Sequence, residues 1–160
     1  MYLRNVATPH PAPDIHASYW LNTQRPQSLA EMRGFVVVLH AFQMLCPGCV
    51  THGLPQVNAI HSMYKNDPVK VIGIHTVFEH HNVMGIEALE VFAHEYRLTF
   101  PIAVDQQAHN DPIPLTMQAY DMQGTPTLIL IDKAGNLRLN HFGQLSDMQV
   151  GNMLGQLLTE

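Results

Sequence analysis

The sequence predicts a single α/β domain built on a mixed β-sheet. Three observations carry this. Phe35–Phe42 and Val69–Val77 are nearly unbroken apolar runs rich in β-branched residues, as expected of central strands covered on both faces. Segments with helical spacing follow both runs. A pair of strands joined by a five-residue turn, and then a last helix, close the chain. At 160 residues the chain has the size of one domain. Folding at that size buries about 70% of the surface an unfolded chain exposes.

Residues 1–18 hold Pro9, Pro11 and Pro13 without periodicity and are expected to form an extended arm on the surface of a domain spanning 19–160. Tyr19–Leu21 through Gln27 reads as a short strand and turn. Ser28 with Glu31 forms a capping-box signature for one helical turn that Gly34 ends. The strand Phe35–Phe42 follows. Beyond Cys49, residues Val50, Leu54, Val57, Ile60 and Met63 keep helical spacing up to Asn66-Asp67-Pro68, with a kink expected at Pro55.

The second strand, Val69–Val77, leads into a polar, His-rich insert over about 78–86. A second long helix then carries Leu89, Val91, Phe92 and Tyr96. Phe100–Val104 is the third strand, and a loop with a short helical stretch runs to Tyr120. Thr127–Ile131 and Leu137–Phe142 form a hairpin through the turn Asp132–Asn136. Ser146 and Gln149 make a second capping box, and Val150, Met153, Leu154, Leu157 and Leu158 give the closing helix its inward stripe.

Composition excludes several function classes. The chain is 46% hydrophobic and only 13% charged, with a formal charge of −5. Its eight Lys and Arg residues are scattered, so no basic cluster faces several phosphates and nucleic acid is not expected as a partner. No apolar stretch approaches the ~20 residues of a membrane-spanning helix, and residues 1–20 lack the apolar core of a secretory signal. The expectation is a cytoplasmic protein without membrane contact. Eleven histidines are present, with His75, His80, His81 and His94 around the insert; they are read as solvating residues in a chain short of charge. Met44 and Met122 are read as core filling.

The chemical signal is Cys46-Pro47-Gly48-Cys49, since two cysteines placed at random fall three apart only about 1% of the time. Cys46 follows a buried strand and opens a helix, whose unpaired N–H groups favour a thiolate there. Cys46 is therefore the expected nucleophile, and Cys49, one turn on, the resolving thiol. Two inert core cysteines, or a zinc site adding His52 and another histidine, are the alternatives. No second ligand pair at characteristic spacing supports the latter.

A buried strand ending in a Cys-x-x-Cys helix, followed by Gly124-Thr125-Pro126-Thr127 and a hairpin, resembles the thioredoxin fold. The nearest variety is the TlpA-like group of thiol:disulfide oxidoreductases in the redoxin superfamily, which also has an N-terminal strand and turn and an insert before the second long helix. The resemblance covers about residues 19–158. It implies exchange of electrons with protein or small-thiol disulfides and a reductant, with no cofactor. It implies further that Cys46 attacks, Cys49 resolves, Pro126 is a cis-proline facing the site, and Thr125 offers its backbone to substrate. His40 stands where thioredoxins carry a buried acid, and Glu79 near a carboxylate of some TlpA-like proteins; either would take the Cys49 proton.

The chain departs from that pattern at Leu45, where a Trp is usual, and in its Pro-Gly dipeptide. Pro47 through Pro55 instead resembles the segment after the peroxidatic Cys of peroxiredoxins, which would make Cys49 the peroxide-reducing thiolate. Against that, the proline and arginine such enzymes use are Phe42 and Pro126 here.

Overall fold

The computed structural model describes residues 6–160. Its centre is β3 (Val36–Phe42), in which every residue is buried. A strand buried on both faces needs a partner on each edge and a layer over each face, and the rest of the chain supplies them. The parallel neighbour β4 (Val69–His75) pairs along all of β3, from Val36 opposite Val69 to Phe42 opposite His75. On the other edge lies β6 (Thr127–Ile131), antiparallel, with Ala41 opposite Thr127. The sheet continues outward through β5 (Ile102–Asp105), parallel to β4, and through β7 (Asn136–Phe142), antiparallel to β6. With β1 (His10–Pro11) and β2 (Ala17–Leu21) it has seven strands among the described residues, ordered β1-β7-β6-β3-β4-β5-β2. The expected mixed sheet flanked by helices, the thioredoxin-like fold, is the fold observed.

Alternation along β3 divides the core. Val36, Val38 and Phe42 face a layer made by α1 (Leu54–Met63), α2 (Ile86–Glu95) and α4 (Asp147–Thr159). Val37, Leu39 and Ala41 face a thinner layer that includes Leu29, Met32, Met117 and Tyr120. In α2 the inward residues are Leu89 and Ala93, while Val91 and, just past the helix, Tyr96 are exposed. The capping box at Ser146 and Gln149 is complete in both directions. At Ser28 only half of it forms: the hydroxyl accepts from the Glu31 N–H, but the Glu31 carboxylate turns to Arg25, and Leu29–Met32 is a 3₁₀ turn. Met44 and Met122 are buried, as core filling requires.

The N-terminal arm is more than a surface layer. His10 and Pro11 pair with Leu137 and Asn136 at one edge of the sheet, and β2 pairs with β5 at the opposite edge. Between them the chain crosses the thinner face, where Ala12 and Ile15 pack on the core and the Tyr120 hydroxyl donates to the Pro13 carbonyl. The domain start expected at residue 19 thus falls inside a strand. Residues 1–5 of the arm lie outside the described residues.

Asp105, at the end of β5, joins three pieces of the fold. Its carboxylate is buried and accepts from the backbone N–H groups of Thr116 (2.8 Å) and Met117 (3.1 Å), which open α3 (Leu115–Ala119). It also accepts from the Thr76 hydroxyl just past β4 (2.9 Å). Burial raises the Asp105 pKa, and these hydrogen bonds oppose the rise. Replacing Asp105 by Ala strands three buried donors and is expected to lower the free energy of unfolding by about 2–4 kcal/mol, read from urea denaturation. A change under about 0.5 kcal/mol would show that the cluster is not a structural joint.

Candidate active site

The segment after β3 turns sharply before the helical region begins. The Cys46 N–H donates to the Gln43 carbonyl (3.2 Å), closing the turn, and the Val50 N–H donates to the Cys46 carbonyl (3.1 Å), starting the helix. Cys49–Gly53 forms one wide, π-type turn in which the Leu54 N–H reaches back five residues to the Cys49 carbonyl. Pro55 accounts for the widening, because it has no N–H and its ring crowds the carbonyl four residues back. The expected kink is therefore a widened turn, with Pro55 then sitting comfortably in the first turn of α1.

This geometry sets the two cysteines apart. They are joined as a disulfide with Cα atoms 5.2 Å apart. Cys49 is fully buried, whereas Cys46 is half-buried and its sulfur receives the Cys49 backbone N–H at 3.3 Å. In the reduced protein that N–H would point at a Cys46 thiolate, stabilising its charge at the start of a helix. Across from it, Thr125–Pro126 is a cis peptide, and the Thr125 carbonyl oxygen lies 3.6 Å from Cys46 Sγ. A Cβ at Gly48 would sit 3.5 Å from Pro126 Cδ, so helix start and proline are in van der Waals range. Gly124 is needed for its lack of a side chain, since a Cβ there would fall 2.6 Å from the Phe142 ring. Cys46, Cys49, Thr125 and Pro126 thus form one site.

His40 lies beneath it. The ring is buried, and a Cβ at Gly53 would be 2.7 Å from its Nε2, so His40 packs on the helix one turn beyond Cys49. Nε2 has no hydrogen-bond partner among the described residues. Burial first, and the charge of nearby His52 second, lower its pKa to about 3, leaving the ring neutral. The His52 Nε2–H donates to the Leu145 carbonyl (3.0 Å), which also accepts from Gln56. Glu79 is exposed in a bend past β4 and has no hydrogen bond or ion pair among the described residues. A peroxide reductase built on Cys49 would need that sulfur open to peroxide, and it is fully buried.

Two further features escape sequence reasoning. Gly53 makes room for His40, and its only sequence trace is a glycine inside a helical segment. His75, grouped by sequence with the insert histidines, is instead buried at the end of β4, and its Nε2 accepts the Met44 N–H at 3.3 Å. Burial lowers its pKa to about 4. His80, His81 and His94 are exposed. Among the described residues no cluster of three or more His, Cys, Asp or Glu is arranged to hold a metal ion.

Known proteins share this architecture. Residues 9–140 match the AhpC/TSA family. The crystal structure of a thioredoxin-like superfamily protein superposes with a TM-score of 0.91 at 48% identity, covering 94% of this chain and 97% of that one. The crystal structure of a thiol-disulfide isomerase from Corynebacterium glutamicum gives 0.90 at 47% identity, with the same coverage of each chain. The thiol-disulfide oxidoreductase ResA of Geobacillus thermodenitrificans is 29% identical over 114 residues, 71% of this chain and 58% of that protein. The chain therefore spans less than two thirds of the length of that relative.

The two buried histidines predict an acid-sensitive fold. Both are neutral when folded, with pKa values of about 3 and 4, and both take up a proton near 6.5 once unfolded. The unfolded state then binds more protons between about pH 6.5 and 4, so their contribution to stability is full above that window and is lost as pH falls through it. Each ring adds up to about 1.4 kcal/mol per pH unit to the slope. Urea midpoints at pH 7, 5.5 and 4.5 should fall steeply, and His75→Gln should remove about half of the slope. A flat profile down to pH 4.5 would contradict the neutral assignment.

Proposed function

The chain belongs to the AhpC/TSA family, and on that footing we propose that it is a thiol:disulfide oxidoreductase using Cys46 as nucleophile and Cys49 as resolving thiol. The observation that carries this is the asymmetry of the pair. Cys46 is the reachable sulfur and receives a backbone N–H, while Cys49 is sealed behind it. The names of the Corynebacterium isomerase and of ResA support the same class of reaction.

In the reducing direction the Cys46 thiolate attacks one sulfur of a substrate disulfide. A Cys46–substrate disulfide forms, and the departing sulfur leaves as a thiolate that takes a proton. Cys49 then loses its proton and attacks Cys46 Sγ, releasing the second substrate thiolate and closing Cys46–Cys49. The substrate gains two electrons, and a dithiol reductant restores the pair; the same steps in reverse oxidise a substrate dithiol. The attacking geometry is supported by Thr125, whose carbonyl flanks Cys46 Sγ and whose backbone is the surface a peptide substrate would lie along.

Support for the proton step falls on His40 rather than on Glu79. His40 packs on the turn beyond Cys49 with a buried nitrogen that no described residue engages, whereas Glu79 is exposed and makes no hydrogen bond to either sulfur. A neutral imidazole with a pKa near 3 is a weak base while the disulfide is closed. A thiolate forming at Cys49 would favour the imidazolium and raise that pKa, so the ring gains proton affinity at the step that needs it.

The test is limited alkylation of the reduced protein at about pH 6–7, with mass spectrometry locating the label. Cys46 should be modified first. Cys46→Ser should slow reduction of a disulfide-bonded peptide by at least ~1,000-fold, while Cys49→Ser should accumulate the Cys46–substrate mixed disulfide. First modification at Cys49 would reverse the roles of the two sulfurs and turn attention to peroxide.

A further inference from the structure

The turn that presents Cys46 is held from one side by β4 and the residues just past it. The Phe42 carbonyl accepts from the Thr76 N–H (3.0 Å), and the Gln43 side-chain oxygen accepts from the Phe78 N–H (3.3 Å). Between these two contacts the Met44 N–H, two residues before Cys46, donates to His75 Nε2 at 3.3 Å. Of the three, only the contact at Met44 uses a side chain of β4. The Met44 side chain is itself buried, so this N–H has no easy recourse to water if its acceptor is lost.

We infer that His75 is a positioning residue for the proposed thiol exchange: its Nε2, as hydrogen-bond acceptor, sets the place of Met44 and through it the alignment of Cys46 with the Cys49 N–H and the Thr125 carbonyl. This rests on Cys46 being the nucleophile. An acceptor at Nε2 requires the ring's proton at Nδ1. Surroundings agree with that tautomer. The ring packs against Phe42 at 5.2 Å between centroids and lines a cavity of about 170 Å³ shared with Ser18, His81, Met84 and Gln107. No protein group among the described residues hydrogen-bonds Nδ1, and a cavity of that size, which the ring lines, has room for water. The titratable neighbours on the cavity are His81 and Asp105. The Asp105 carboxylate already serves Thr76, Thr116 and Met117, and the His81 Nε2–H donates to the Pro112 carbonyl, which leaves the Met44 N–H as the evident claim on His75.

Three measurements test this. Nitrogen-15 imidazole shifts of the wild-type protein at pH 7 should show His75 as the Nδ1–H tautomer; an Nε2–H tautomer would overturn the inference whatever any variant does. His75→Phe keeps a ring but removes the acceptor, and should slow alkylation of Cys46 at pH 6.5 about tenfold and move the midpoint of its pH profile upward. His75→Gln supplies an amide oxygen and should return the rate to within about threefold of wild type. A folded His75→Phe protein with an unchanged profile, or a His75→Gln protein as impaired as His75→Phe, would reduce His75 to packing and overturn its role. Should His75→Phe not fold, the tautomer and the Gln variant decide. Wild-type labelling at Cys46 is the control: if Cys46 does not react first there, the exchange chemistry fails, and the tautomer still reports separately on the Met44 contact.

Discussion

Everything at the site depends on the double burial of β3. Because Val36–Phe42 has no solvent face, its neighbours and both covering layers must be in place before the strand is stable. The pairing registers then bring three chain segments to one end of the sheet. Phe42 leads out to Cys46, the paired end of β4 is His75, and Thr127 opposite Ala41 carries Pro126 just before it. The site is a product of register: a one-residue slip of either neighbour would send those side chains to the wrong face.

Electrostatics near the site are unusual for the shortage of charge. Eight basic side chains serve the whole chain, and the groups under Cys46 and Cys49 are neutral imidazoles and backbone dipoles. A thiolate at Cys46, as proposed, would be stabilised by an oriented N–H and a helix start. Such dipoles are fixed by the fold and do not titrate, so they act equally across pH, in contrast to the histidines they surround.

Strong local patterns are legible in the sequence and long-range ones are not. The apolar run at 35–42, the hairpin at 127–142 and the Ser146–Gln149 cap each carry their signal within a few residues. So does Cys46-x-x-Cys49, and the resemblance it anchors locates Thr125 and Pro126. The arm reads as a mere surface layer because its binding is mostly backbone hydrogen bonding and scattered small contacts, which leave no periodicity at Pro9, Pro11 and Pro13. His75 looks like its neighbours in the insert because it is buried by the fold and its hydrogen-bond donor, the Met44 N–H, lies 31 residues away in the chain. Pro55 announces a disturbance, while its form, a widened turn in which the Leu54 N–H reaches back five residues, is one of several ways a helix accommodates a proline. Glu79 comes from resemblance alone, and its surroundings supply no partner among the described residues.

The arm also bears on how the molecule behaves in a crowd. An open sheet ends in rows of unpaired N–H and C=O groups that invite a strand from another molecule. Here the Asn136–Leu137 end of β7 is covered by a strand only two residues long, His10–Pro11, set in a stretch where residues 9, 11 and 13 are all proline and have no N–H to offer. A foreign strand approaching that side finds too little ladder and too few donors to continue it. The same proline-rich stretch that hides the arm from sequence reasoning makes this end of the sheet's border a poor template for aggregation.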